Sequence, residues 1–154
     1  MNTEMKTFDE LVKDPAGTIY RDEKEDGFRF IILRGPGSLC AYIGVKKNSS
    51  YHKALLFDEV ENTIDNIPDY DTKVERSLDV HGGVTFKGEG DNKFLPKGYY
   101  FFGWDYAHAG DKFMFQEFSI NHSNDTEWTV KMVEDDSKDG VSGFKKFIKE
   151  RVKK

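Results

Sequence analysis

A chain of 154 residues with 37% hydrophobic and 14% aromatic content is long enough for a single domain, 1–154, whose core draws heavily on its 13 Phe and 7 Tyr. A formal net charge of −5 excludes a general nucleic-acid binder, which needs a basic face to displace counterions. The one cysteine, Cys40, excludes an internal disulfide and a cysteine-built zinc site and fits a reducing cytoplasm, and no stretch is apolar enough for a membrane span.

Thr7-Phe8-Asp9-Glu10 reads as a capping box, with Thr7 as the cap and Glu10 reaching back; it predicts a short helix to about Asp14, where Pro15 stops it. The acids within residues 1–13 argue against a secretory signal there. Gly17 to Arg21 is expected as a short edge strand and Asp22 to Gly27 as a charged turn. Phe28 to Leu33 and Leu39 to Val45 read as strands joined by the turn Arg34-Gly35-Pro36-Gly37-Ser38, hence a hairpin. Lys53 to Val60 is expected as a short helix, followed by a long loop containing Pro68.

From Leu78 to Phe86 the pattern alternates. Leu78, Val80, Val84 and Phe86 fall on one face and Asp79, His81 and Thr85 on the other, which predicts a strand. Gly82 and Gly83 mark a bulge or a close backbone approach within it. Tyr99 to Trp104 is apolar on both faces, as a central strand is. Ala107 to Lys112 leaves the sheet as a turn, and 113–118 is a further strand or a packed loop. Trp128 to Val133 begins the main helix, and Gly140-Val141-Ser142-Gly143 interrupts it. Phe144, Phe147, Ile148 and Val152 then recur at helical spacing. This order is α+β: a mainly antiparallel sheet with a short N-terminal helix and a C-terminal helix packed on one face.

Two segments concentrate the polar chemistry, 79–86 and 104–111. Asp79 and His81, two apart on one strand, would point the same way, the carboxylate orienting the imidazole for general acid–base work. Asp105, His108 and Asp111 recur every three residues, and on one turn they suit a divalent metal or a turn closed by carboxylate hydrogen bonds. If the two segments adjoin, His81 and His108 share a pocket with Asp79 and Asp105 behind them. Gly82, Gly83 and Gly110 allow backbone approach, Thr85 shares the polar face, and Trp104 or Tyr106 offers a ring for stacking on a base. Arg34, in its glycine-proline turn, is a candidate anion grip. Cys40 reads as core, and His52 and His122 as exposed.

The string Val80-His81-Gly82-Gly83-Val84-Thr85-Phe86, followed by Gly103-Trp104-Asp105-Tyr106-Ala107-His108-Ala109-Gly110-Asp111, resembles a largely uncharacterised family of small bacterial and phage proteins. Its members read His-Gly-Gly-x-Thr-Tyr/Phe and then Gly-Phe-Asp-x-Ala-His-Ala-Gly-Asp, with an upstream Gly-Tyr-x-Gly-Val similar to Ala41-Tyr42-Ile43-Gly44-Val45. The resemblance covers about 28–135. It departs after Gly44-Val45, where the family carries His-Pro and this chain has Asn48-Ser49-Ser50. It implies that Asp79, His81, Gly82, Gly83, Asp105, His108, Gly110 and Asp111 form one shared site, and that a phage setting favours a counter to host defence in the host cytoplasm.

Two functions follow as expectations. In the first, the site binds, or with an activated water or metal hydrolyses, a nucleotide-like or phosphorylated small molecule. In the second, the protein inhibits a host defence protein by direct contact through acidic runs such as Asp58-Glu59-Val60-Glu61 and Glu134-Asp135-Asp136, with the His motifs structural. A hydrogen-bonded His/Asp core without a ligand is the third reading.

Overall fold

The structure, a computed structural model, describes residues 5–61, 63–64, 67–68, 73–114 and 124–152; for 56–61, 63–64, 67–68 and 73 it describes the backbone alone. Its first helix, α1 (Phe8–Lys13), starts on the capping box: Thr7 accepts from the Glu10 amide, and the Glu10 carboxylate accepts from the Thr7 amide. Phe8 and Leu11, three apart, bury on one side. The helix ends at Asp14, which is extended before Pro15.

Strands β1 (Ile19–Glu25), β2 (Phe28–Arg34) and β3 (Leu39–Lys46) form an antiparallel meander. The charged turn expected over Asp22–Gly27 is shorter. Asp26 and Gly27 both take positive φ (53° and 79°), a two-residue turn that pairs Glu25 with Phe28 and lets β1 run on through its charged residues. Those charges suit an edge strand, which they shield from pairing with another chain. Helix α2 (Ser50–Glu61) covers the helix expected over Lys53–Val60; the two-residue strands β4 (Thr63–Ile64) and β5 (Ile67–Pro68) and helix α3 (Lys73–Ser77) follow, where a long loop was expected.

The strand that the alternation over Leu78–Phe86 predicts does not form; strand β6 (Phe86–Glu89) starts where it was expected to end. Leu78 and Val80 do bury, but residues 78–85 have no ladder partner until the Thr85 amide meets the Gly103 carbonyl at 2.9 Å. Positive φ at Gly82 (72°) and Gly83 (74°) folds the segment into a turn instead. Strand β7 (Tyr99–Asp105) lies between β3 and β6, so the sheet order is β1-β2-β3-β7-β6. The long helix α4 (Val130–Val152) runs straight through Gly140-Val141-Ser142-Gly143. A Cβ on Gly140 would lie 2.7 Å from the Asp79 carbonyl and one on Gly143 3.1 Å from that of Ser77. The glycines therefore serve close packing rather than a break.

The architecture is α+β, with the helices packed on one face of the sheet. Phe8 and Leu11 of α1 and Val130, Val133, Phe144 and Ile148 of α4 join Phe28, Ile32, Ile43, Phe102 and Trp104 in the main core. The other face carries a smaller cluster of Ile31, Leu33, Leu95 and Phe101. Among the described residues no helix is long and apolar enough to cross a membrane.

Candidate functional site

The turn at 81–83 and the segment after β7 meet. His81 Nε2 lies 2.7 Å from Asp111 Oδ2, and the His81 and His108 ring centres are 5.5 Å apart, edge to face. Asp111 is 4% exposed and collects three donors: His81 Nε2, the His108 amide (2.9 Å) and, on its other oxygen, the Trp128 indole N–H (2.8 Å). A buried carboxylate requires such partners. The turn itself closes through the Asp111 amide on the His108 carbonyl, with Gly110 at φ 90°.

Asp79, expected behind His81, is exposed and does not reach it. Without a strand at 78–85 the period of two no longer aligns the two side chains, and the acid that holds His81 is Asp111. Asp79 instead lines a hollow of about 480 Å³ with Arg76, Leu78, Gly83 and Val84. Asp105 does face His108. Its Oδ1 accepts from the Ala107 amide at 3.1 Å and its Oδ2 from the Thr85 hydroxyl at 3.2 Å. His108 Nε2 lies 3.2 Å from Oδ1 but off the hydrogen-bonding direction, and is buried without a hydrogen-bond partner. What presses on it is Gly82, where a Cβ would come 2.2 Å from that nitrogen.

Beneath His81 lies a second layer. Its ring stacks parallel on Tyr106 (5.4 Å, 1°) and tilts against Trp128 (4.9 Å). The Tyr106 hydroxyl donates to Asp136 Oδ2 at 2.8 Å and accepts from the Trp104 indole at 3.0 Å. The same Asp136 oxygen accepts the His81 amide at 3.1 Å. Burial, with the Asp136 carboxylate adding to it, pushes the Tyr106 phenol far above its ordinary range, so it stays a donor. Trp104 and Tyr106 are each 1% exposed and offer no open ring. The side chains of His81 and His108 are 28% and 32% exposed and reach solvent.

Compared with protein families, curated proteins and solved structures, the chain matches none.

Arg34 is not with the histidines. It is buried, with Nε on the Leu11 carbonyl and the two Nη groups on those of Gly35, Val12 and Met114, so its guanidinium ties α1 and 114 to the β2 end. His52, expected exposed, is buried: its Nδ1 accepts the Asn48 amide at 3.2 Å and its ring stacks on Tyr100. Cys40 sits on the minor face, where burial pushes its thiol up to about 11, away from nucleophilic use. His122 and 115–118 lie outside the described residues, as do the side chains of Asp58-Glu59-Val60-Glu61. The acidic run Glu134-Asp135-Asp136 lies within α4. Glu134 pairs with Arg21, Asp135 with Lys131, and Asp136 serves the site. Among the described residues no three His, Cys, Asp or Glu side chains are arranged to hold a metal ion.

Reading the sequence missed Trp128 and Asp136. Trp128 is one of only two tryptophans and stands just before the helix, which is a signal; Asp136 looks like any solvated helix acid.

Proposed function

We propose that the His81–His108 rim binds a phosphorylated, nucleotide-like small molecule, with His81 as the acid–base residue. The observation that carries this is the pair His81 Nε2–Asp111 Oδ2 at 2.7 Å, beside a second half-exposed imidazole. A carboxylate on Nε2 keeps the proton there and leaves Nδ1 with its lone pair for a water or a phosphate oxygen. Asp111 is the positioning residue, in the place first given to Asp79. Gly83, at which a Cβ would meet nothing within 4 Å, leaves backbone open to a ligand. It also borders the hollow with Arg76, whose volume of about 480 Å³ lies within the range of small-molecule sites. Taken with the motif resemblance, the ligand is a nucleotide signal of host defence met in the host cytoplasm.

A direct-contact inhibitor with structural His motifs is the second reading. It is favoured by the closure of the network on itself, since both Asp111 oxygens are taken by protein donors.

Thermal melting separates the two. Wild type, His81→Ala and His108→Ala are melted against cyclic and linear nucleotides, with and without a divalent ion. A ligand at a hundredfold its Kd adds about 2.7 kcal/mol, or roughly 5–10 °C for a chain this size. Such a rise in wild type, lost in both variants, is the expected result. No rise with any nucleotide, together with variants that melt well below wild type, overturns the ligand reading in favour of the structural one.

A further inference from the structure

A second hollow lies on the opposite, helix-free face of the sheet. Its volume is about 170 Å³, and its walls are Leu33, Cys40, Tyr42, Phe86, Phe94 and Leu95, with Glu89 and Asp91 at its edge. Two features set it apart from an ordinary surface dimple. Phe86 and Phe94 are 40% and 54% exposed, two Phe rings among the exposed large apolar side chains of the described residues, and both line it. Both rings are also seated on glycines. Phe94 rests over Gly17, where a Cβ would touch its ring at 3.4 Å, and Phe86 over Gly88, where one would touch its ring at 3.3 Å. Phe86 is further braced edge to face on Tyr42 at 5.7 Å. The walls are therefore built before any ligand arrives.

The size sets the ligand. An apolar cavity of about 150 Å³ is enough to take up benzene. Charge sets the rest: the hollow has two carboxylates and no basic side chain in its lining. Glu89 is partly neutralised by Lys47 at 3.1 Å, and one Asp91 oxygen accepts the Lys93 amide at 2.9 Å. Carboxylates beside an aromatic slot, with no basic side chain in the lining, favour a cation on a short tether.

We infer that this hollow binds a single aromatic ring carrying a short cationic chain, an arylalkylamine, independently of the His81–His108 site. The ring lies between Phe86 and Phe94 over Tyr42, and the ammonium meets Asp91.

The test uses 2-phenylethylamine, with benzyl alcohol and phenylacetate as neutral and anionic counterparts of the same ring, followed by amide NMR shifts on the full chain. Phenylethylamine should move the amides of Cys40, Tyr42, Phe86 and Leu95 at millimolar concentration and leave His81 and His108 still. It should bind at least fivefold tighter than benzyl alcohol, and phenylacetate should be weaker again. Asp91→Asn should remove the fivefold preference but keep the ring contact. Phe94→Ala, a change at an exposed side chain that leaves the fold intact, should weaken all three compounds. No shift at these residues, or shifts of equal size from amine and acid that survive Phe94→Ala, would overturn the assignment.

Discussion

Gly82 and Gly83 share a left-handed backbone, yet they answer different demands. Any residue with a Cβ pays for that conformation, about 1–2 kcal/mol. At Gly83 that is the whole penalty, because a Cβ would meet open space. At Gly82 the Cβ would also strike the His108 ring. Gly83→Ala should therefore lower stability by about 1–2 kcal/mol and leave the His108 ring signals in place. Gly82→Ala should lose more and move them, as read by urea denaturation and NMR of the imidazole protons. Equal losses with an unmoved His108 would contradict the contact. Asp111 is the other single residue on which the site turns. Asp111→Ala leaves the half-buried Trp128 indole and His108 amide without their acceptor, for an expected loss of about 1–3 kcal/mol by denaturation.

Helix α4 shows how one element shapes the site from a distance. It presents Asp136 to the His81 amide and the Tyr106 hydroxyl, and Gly140 to the Asp79 carbonyl, so the loop at 78–83 is clamped along a helix face. Helix propensity alone favours Ala over Gly by about 1 kcal/mol. Packing decides otherwise here, because the added methyl would sit 2.7 Å from a backbone oxygen and 2.8 Å from Val80. Gly140→Ala is expected to destabilise by about 1–3 kcal/mol, the range of core overpacking, while exposed Ser142→Ala stays within about 0.5 kcal/mol. A Gly140→Ala variant more stable than wild type in urea would show that the loop, not the helix, yields.

The molecule as a whole has an acid limb and an alkaline limb to its stability. Asp14 is held below its ordinary 3.8 by the Tyr20 hydroxyl at 2.7 Å and by Lys6, and Asp22 by Arg29. Groups lowered on folding stabilise fully above that value, and the contribution is lost as pH falls through the lower folded value. Unfolding by acid should therefore set in below about pH 4, and Asp14→Asn should flatten the pH dependence there. The buried phenols of Tyr20, Tyr42 and Tyr106 go the other way, raised mainly by burial. Their contribution is complete below the free tyrosine value near about 10 and fades as pH rises toward the folded one. Denaturation midpoints followed from pH 2 to about 12 should trace both limbs, and a midpoint unchanged between about pH 9 and 12 would contradict the phenol burial.

Local chemistry was enough to read the capping box at Thr7 and Glu10, the β2–β3 hairpin, the central strand at Tyr99–Trp104 and the α+β order, because each depends on residues a few positions apart. It also marked both His motifs as polar clusters and placed the second of them, Ala107–Lys112, in a turn. Two things needed the packed chain. One was whether the alternation at 78–86 becomes a strand: period two describes an extended segment, and only a neighbour with free backbone groups makes it a ladder. The other was which acid serves His81. Asp79 stands two residues away and misses it, while Asp111, 30 residues on, and Asp136, 55 residues on, arrive because β7 and α4 dock where they do. Such pairings are set by how whole elements bury their apolar faces, which no local pattern records.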